Sequence, residues 1–277
     1  MTPFAPNQKF IDTHANPDTQ RDNLAPDISI YPINDQPQGD TKTDFSKMVL
    51  FVEFKFDDTS DPFRDPEDSL RPKANDFRFE NDSDDAQLVR GQLSSYAAAQ
   101  SGCQFRVHIF CVLVCGKYAR FIRWDRDGAI VTRRFDYVNQ PHLADFFWRY
   151  NHLDPRQQGY DTSVSSATPE DIQQIHNFAS RLRDANPAHR EFRVLMVPDR
   201  DKPQVEKRFV VSFPPKYTAR SPFGRATRPM LAFDIEMEEV VFLKDYWRAD
   251  VDGMEKEGDI YGILESPSSV HCTIRPR

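Results

Sequence analysis

Two groups of residues in this chain have the types and spacing to do chemistry. The first begins with Asp27 in "PDISIY" and continues with Glu53 and Lys55 in "FVEFKF". Successive side chains of a strand alternate between its faces, so Glu53 and Lys55 point the same way. Carboxylates on two strands supply hard oxygen ligands for Mg²⁺, and a lysine beside them can orient an attacking water or stabilise charge. That is equipment for hydrolysing a phosphodiester, although an ordinary alternating strand with a polar face gives the same letters. The second group is Lys244 in the apolar strand "VVFLKD" and Glu257 at the start of "EGDIYGIL". Ile260, Tyr261 and Leu264 follow Glu257 at +3, +4 and +7, so one helical face is apolar and the glutamate points along it towards the lysine. A strand lysine fixed by a glutamate on the next helix holds nucleotide phosphates for phosphoryl transfer. Glu255 is the fallback partner, and on these two residues alone an edge-strand lysine with a solvated glutamate is the commoner arrangement.

These residues need elements to position them. "DISIYP" and "KMVLFVEFKF" have the β-branched and aromatic content of strands. "DDAQLVRGQLSSYAAAQ" has helical spacing at Leu88, Leu93, Tyr96 and Ala97 despite Gly91. Three strands are expected in "FRVHIFCVLVCGKYARFIRWDRDGAIVTRRFDY", with turns at Cys115–Gly116–Lys117 and Asp127–Gly128. "PHLADFFWRYNHL" and "TPEDIQQIHNFASRLRDAN" read as helices, the latter capped by Thr168 with Pro169 in its first turn. From Glu191 onward the pattern turns to strands: "EFRVLMVP", "EKRFVVSFPP", "MLAFDIE" and "EVVFLKD". The expected fold class is therefore α+β. Residues 1–24 are expected as a flexible tail, 25–185 as an α/β module and 191–277 as a β-rich segment. Between Asp57 and Asp85 stand eleven Asp or Glu against four Lys or Arg, which marks a solvated surface insertion.

The bulk composition narrows the function classes. The 277 residues are 39% hydrophobic and 29% charged, enough for one large or two modest globular domains. A net charge of −7 argues against a coat of basic charge for nonspecific nucleic-acid binding, though local basic patches remain open. Arg120, Arg123, Arg126, Arg133 and Arg134 could meet a phosphate backbone or form a solvated hairpin face. No apolar run approaches the roughly 18–20 residues of a membrane helix, so no membrane partner is expected. The N-terminus lacks the basic-then-apolar order of a signal peptide. Cys103, Cys111, Cys115 and Cys272 show no C-x-x-C spacing, which fits buried, reduced thiols in a cytoplasmic or nuclear protein. The histidines show no metal-ligand spacing, His108 reads as a core residue, and Trp124, Trp148 and Trp247 read as packing.

Several blocks carry a family likeness. "SPFGRATRPMLAFD", "VVFLKDYWR" and "EKEGDIYGIL", with "RGQLSSYAAAQ", "YARFIRWDRDGAIVT", "FFWRY" and "QQGYD" before them, resemble the fungal-type protein kinase family from about Pro26 to Leu264. The resemblance implies an accessory domain followed by the start of a divergent kinase N-lobe (antiparallel strands plus one helix). The full-length family would use ATP and Mg²⁺ to phosphorylate Ser or Thr on a protein substrate. Lys244 would contact ATP, Glu257 would hold it, and Gly224 would belong to the phosphate loop. That loop has one glycine here, with Ala226 and Pro229 where small, flexible residues would help backbone approach phosphate. No H-R-D-x-x-x-x-N loop and no D-F-G turn follows Leu264, so the chain is expected to stop short of the catalytic loop and to be inactive as a kinase. "SPSSVHCTIRPR" continues no helix or strand pattern, as an out-of-frame tail would not.

Asp27, Glu53 and Lys55, then a helix with Gln92 and a further strand, also resemble the PD-(D/E)XK nuclease fold, whose initial helix would be missing or displaced. By that likeness Asp27 and Glu53 would bind the metal, Lys55 would be catalytic and Gln92 would support the site. A Mg²⁺-dependent nuclease or nucleic-acid-binding module is thus the alternative to the kinase expectation. A non-catalytic interaction scaffold is the third.

Overall fold

The computed structural model describes residues 4–66, 77–199, 202, 204–216, 218–248 and 272–276. The fold is α+β, with two separate sheets and few helices. The chain divides into two compact units: residues 1–101 with 106–160, and residues 102–105 with 161–277.

The first unit is built on β1 (Gln8–Asp12), β2 (Ile28–Pro32), β3 (Leu50–Lys55), α1 (Asp84–Cys103), β4 (Ile109–Cys115), β5 (Tyr118–Trp124), β6 (Ala129–Val131), β7 (Phe135–Asp136) and α2 (His142–His152). Its strands lie in the order β1-β2-β3-β4-β5-β6, with β7 also on β5. Neighbours run antiparallel except β3 and β4, which are parallel. Parallel strands need a long crossover, and α1 supplies it. Alternation then sorts the side chains. One face carries Leu50, Val52, Val112 and Val114 against Phe147 and Tyr150 of α2. On the other face Phe51 meets Tyr96 of α1 edge-to-face, with ring centroids 5.4 Å apart. Gln100 of α1 donates to the carbonyls of Met48 and Val49, tying the helix to the start of β3.

Residues 8–12 form a strand, where a flexible tail was expected. β1 pairs with β2 over Gln8↔Pro32 to Asp12↔Ile28, and the buried Thr13 hydroxyl bonds the Pro26 carbonyl at 2.5 Å. Without β1, the backbone groups on that edge of β2 would lack their ladder partners. The acidic insertion is also less solvated than its charge suggests. Phe63 bridges Glu80, the rings of Phe63 and Phe79 stack at 5.0 Å, and Asn81 N–H donates to the Pro62 carbonyl at 3.0 Å. Arg120 on β5 is buried, and its guanidinium holds Asp61 (2.8 Å) and Asp65 (2.7 Å).

The second unit contains β8 (Val164–Ser166), α3 (Pro169–Gln174), α4 (Ala179–Asp184), β9 (Glu191–Pro198), β10 (Glu206–Phe213), β11 (Arg228–Asp234), β12 (Glu239–Tyr246) and β13 (Cys272–Pro276). β8 to β12 form an antiparallel run in sequence order. β13 joins parallel to β12, from Phe242↔Cys272 to Tyr246↔Pro276, in a segment where no strand was expected. The stretch read as one helix after Thr168 is two short ones. The first has a complete capping box between Thr168 and Asp171. Ile175, Ala179 and Leu182 cover Phe192, Val194 and Val210 of the sheet. That shared core places both helices in the second unit, so the division falls at 160/161 rather than near 184–191.

Candidate active site

The start of β2, the end of β3 and the third turn of α1 bring four of the singled-out residues together in the first unit. Asp27 stands one residue before β2, and its Oδ2 accepts the Phe54 N–H of β3 at 2.7 Å. Its own N–H reaches Glu53 Oε2 at 3.4 Å. Lys55 Nζ donates to Glu53 Oε1 at 2.6 Å and to Gln92 Oε1 at 2.8 Å. Glu53 and Lys55 therefore lie on the α1 side of the sheet, as period-two alternation requires.

Burial and charge differ across the cluster. Glu53 is 2% exposed, whereas Asp27 and Lys55 are half-buried and open to ligand. Burial pushes the Glu53 carboxyl above its usual range; the Asp27 charge adds to the rise, and the Lys55 ammonium opposes it. An ammonium has three donors, and two of Lys55's are used, so one remains for a ligand oxygen. Asp27 Oδ1 likewise accepts no hydrogen bond among the described residues, which leaves it free to ligate.

The sequence reading missed Tyr96. Gln92 Nε2 donates to the Tyr96 hydroxyl at 2.7 Å, and that hydroxyl donates to the Ala25 carbonyl at 2.8 Å. The relay fixes which end of the Gln92 amide faces Lys55, because only the oxygen can accept from an ammonium. The signal was available: Gln92 and Tyr96 are four residues apart, hence neighbours on one helical face.

Among the described residues no three His, Cys, Asp or Glu gather as a metal cluster. Two nearby carboxylates do fit Mg²⁺, which keeps several waters and commonly takes one or two protein carboxylates plus substrate oxygens. The Asp27 N–H reaches Glu53 Oε2 at 3.4 Å, so the two carboxylates stand close enough for one divalent cation to offset both charges.

The remaining expectations fall elsewhere. Arg120 and Arg126 are buried, so they form no solvated face. Arg120's donors are taken by Asp61, Asp65 and the carbonyls of Phe63 and Thr132, which rules out an open phosphate contact. Arg123 pairs with Asp125 at 2.6 Å, while Arg133 and Arg134 are exposed. His108 is half-buried and bonds the Gln157 carbonyl at 3.1 Å, and Trp148 is 50% exposed, outside the core, with its ring 4.5 Å from that of His152. In the second unit, Lys244 sits on β12 opposite Pro229, with Nζ 5.6 Å from the Tyr246 ring centroid. Gly224 lies between β10 and β11 with φ +80° and open space where a Cβ would be. Glu257 and Glu255, and with them the expected ion pair to Lys244, lie outside the described residues.

Comparison with protein-family models, curated proteins and solved structures gives no match.

Proposed function

We propose that the first unit is a Mg²⁺-dependent phosphodiesterase of the PD-(D/E)XK nuclease kind, acting on nucleic acid. The observation that carries this reading is the hydrogen-bonded meeting of Asp27, Glu53, Lys55 and Gln92, which come from three separate segments of the chain. The element order supports it: antiparallel β1-β2-β3, then α1, then β4 parallel to β3. Asp27 and Glu53 would hold the ion. When bound, Mg²⁺ would act as a Lewis acid on the phosphoryl group and lower the pKa of its water. Lys55, fixed between Glu53 and Gln92, offers its third N–H to the attacking water or to a phosphate oxygen. Gln92 and Tyr96 hold that ammonium in one direction.

The test is cleavage of plasmid and single-stranded DNA with Mg²⁺ or Mn²⁺, against EDTA and the Glu53→Ala and Lys55→Ala variants. Cleavage should require the metal and fall to background in both variants. Metal-dependent cleavage that survives both substitutions refutes the assignment.

The second unit supports a separate nucleotide-binding reading. Lys244 stands on the third strand of the antiparallel run β10-β11-β12, and the connection between the first two carries Gly224. That order suits a strand lysine meeting ATP phosphates below a covering loop. An ATP-induced thermal shift that disappears in Lys244→Met would bear it out; a shift that persists would sink it.

A further inference from the structure

On the sheet face opposite Glu53 and Lys55, β5, the β6–β7 connection and α2 line an open cleft of about 560 Å³. Its floor is aromatic. Phe121 stacks on Phe146 with centroids 4.3 Å apart and lies 4.8 Å from Phe135. All three rings are half-buried, so each keeps surface open to the cleft. The rim is basic, with Arg133, Arg134 and Arg149 lining the same space. Asp145 is the one carboxylate in the lining, and it holds Arg149 Nε at 2.8 Å. Arg134 lies over the Tyr118 ring at 4.5 Å and forms long ion pairs with Asp58 (3.9 Å) and Asp65 (3.8 Å), which a phosphate would have to share. His142 meets the edge of Phe135 at 5.4 Å and adds a further nitrogen to one wall.

Aromatic rings alone would suit any apolar chain, and arginines alone any anion. Together, at this volume, they select a ligand that joins a flat ring to a phosphate. We infer that this cleft binds a nucleoside monophosphate unit, with the base on the phenylalanine floor and the phosphate between the arginines. The unit could be a free nucleotide or the phosphorylated end of a strand, which share this chemistry. The site is independent of Lys55 and of Lys244, and stands or falls apart from either functional reading.

The experiment titrates the full chain, in EDTA to prevent turnover, with two fluorescent probes read by anisotropy. One is N-methylanthraniloyl-AMP; the other is a 5′-phosphorylated oligothymidylate with a 3′ fluorophore. Saturable binding of the first alone assigns the free nucleotide, and of the second alone the strand end; either supports the site. Arg133→Glu with Arg149→Glu should weaken binding at least about tenfold, the loss expected for charge-assisted contacts. Lys55→Ala and Lys244→Met should leave it unchanged. Should the double variant fail to fold, Arg149→Ala carries the test, since that side chain is 70% exposed. The proposal is overturned if neither probe binds by about 1 mM, if the arginine variants bind normally, or if Lys55→Ala or Lys244→Met abolishes binding.

Discussion

Replacing Arg120 by methionine should destabilise the first unit by about 3–5 kcal/mol, the usual cost of leaving one partner of a buried ion pair alone. Arg120 is 3% exposed at its side chain and Asp61 8%. Nε donates to both Asp61 oxygens (3.0 and 2.8 Å), Nη1 to Asp65 (2.7 Å) and the Thr132 carbonyl (2.9 Å), and Nη2 to the Phe63 carbonyl (3.2 Å). Without it, Asp61 keeps the Phe63 N–H at 3.0 Å and no cation among the described contacts. Asp65 is 23% exposed, can recover water, and adds less. The pH dependence has a definite sign. Burial already raises the Asp61 carboxyl above its ordinary range while Arg120 holds it down. Losing Arg120 raises it further. A carboxyl with a raised folded pKa contributes stability below its unfolded pKa and loses it as pH rises through the folded one. The deficit should therefore be greatest at neutral pH and shrink on acidification. Urea unfolding followed by tryptophan fluorescence, at about pH 7.5 and about pH 5, reads both quantities. A neutral-pH loss below about 1 kcal/mol, or a deficit that grows with acid, would refute the reasoning.

Three further outcomes follow from the same geometry. Gly159 has φ +95° and its Cβ would lie 2.0 Å from the His108 carbonyl oxygen, so Gly159→Ala should cost at least about 1–3 kcal/mol in urea unfolding. On the proposed metal site, protons would compete with metal at the Glu53 carboxyl, which burial raises; the Mn²⁺-induced thermal shift should grow as pH rises through that carboxyl's titration and vanish in Glu53→Gln, whose metal-free melting temperature should not fall. Burial pushes the Cys111 and Cys115 thiols up to about 12, so both should resist alkylation at about pH 8 in the native protein and react fully in denaturant, as mass spectrometry would show.

The candidate site was legible because its signals are local. Alternation put Glu53 and Lys55 on one face, and the sequence order of strand, strand and helix brought Asp27 and Gln92 within reach. What escaped was tertiary. Arg120 and its acidic partners look like solvated charge in the sequence, since pairing across 59 positions leaves no periodic trace. β1 was hidden because its five residues, "QKFID", are an edge strand of mixed polarity following a Pro-rich start. The split of the Thr168 helix and the 160/161 division depend on which sheet buries Ile175 and Leu182, and the letters of the helix do not say. Tyr96 occupies a helical face, as its spacing predicts, but its hydroxyl's partner is an Ala25 carbonyl 71 positions away.

The Phe63–Glu80 bridge means that the chain leaving β3 returns to nearly its point of departure before entering α1. The bridge, the Phe63–Phe79 ring stack and the Asn81–Pro62 hydrogen bond together close that base. Ring closure there is already enforced, and each doubling of such a span costs only about 0.6 kcal/mol. Lengthening the chain between Phe63 and Glu80 should therefore leave the closed base intact and Glu53 and Lys55 in place.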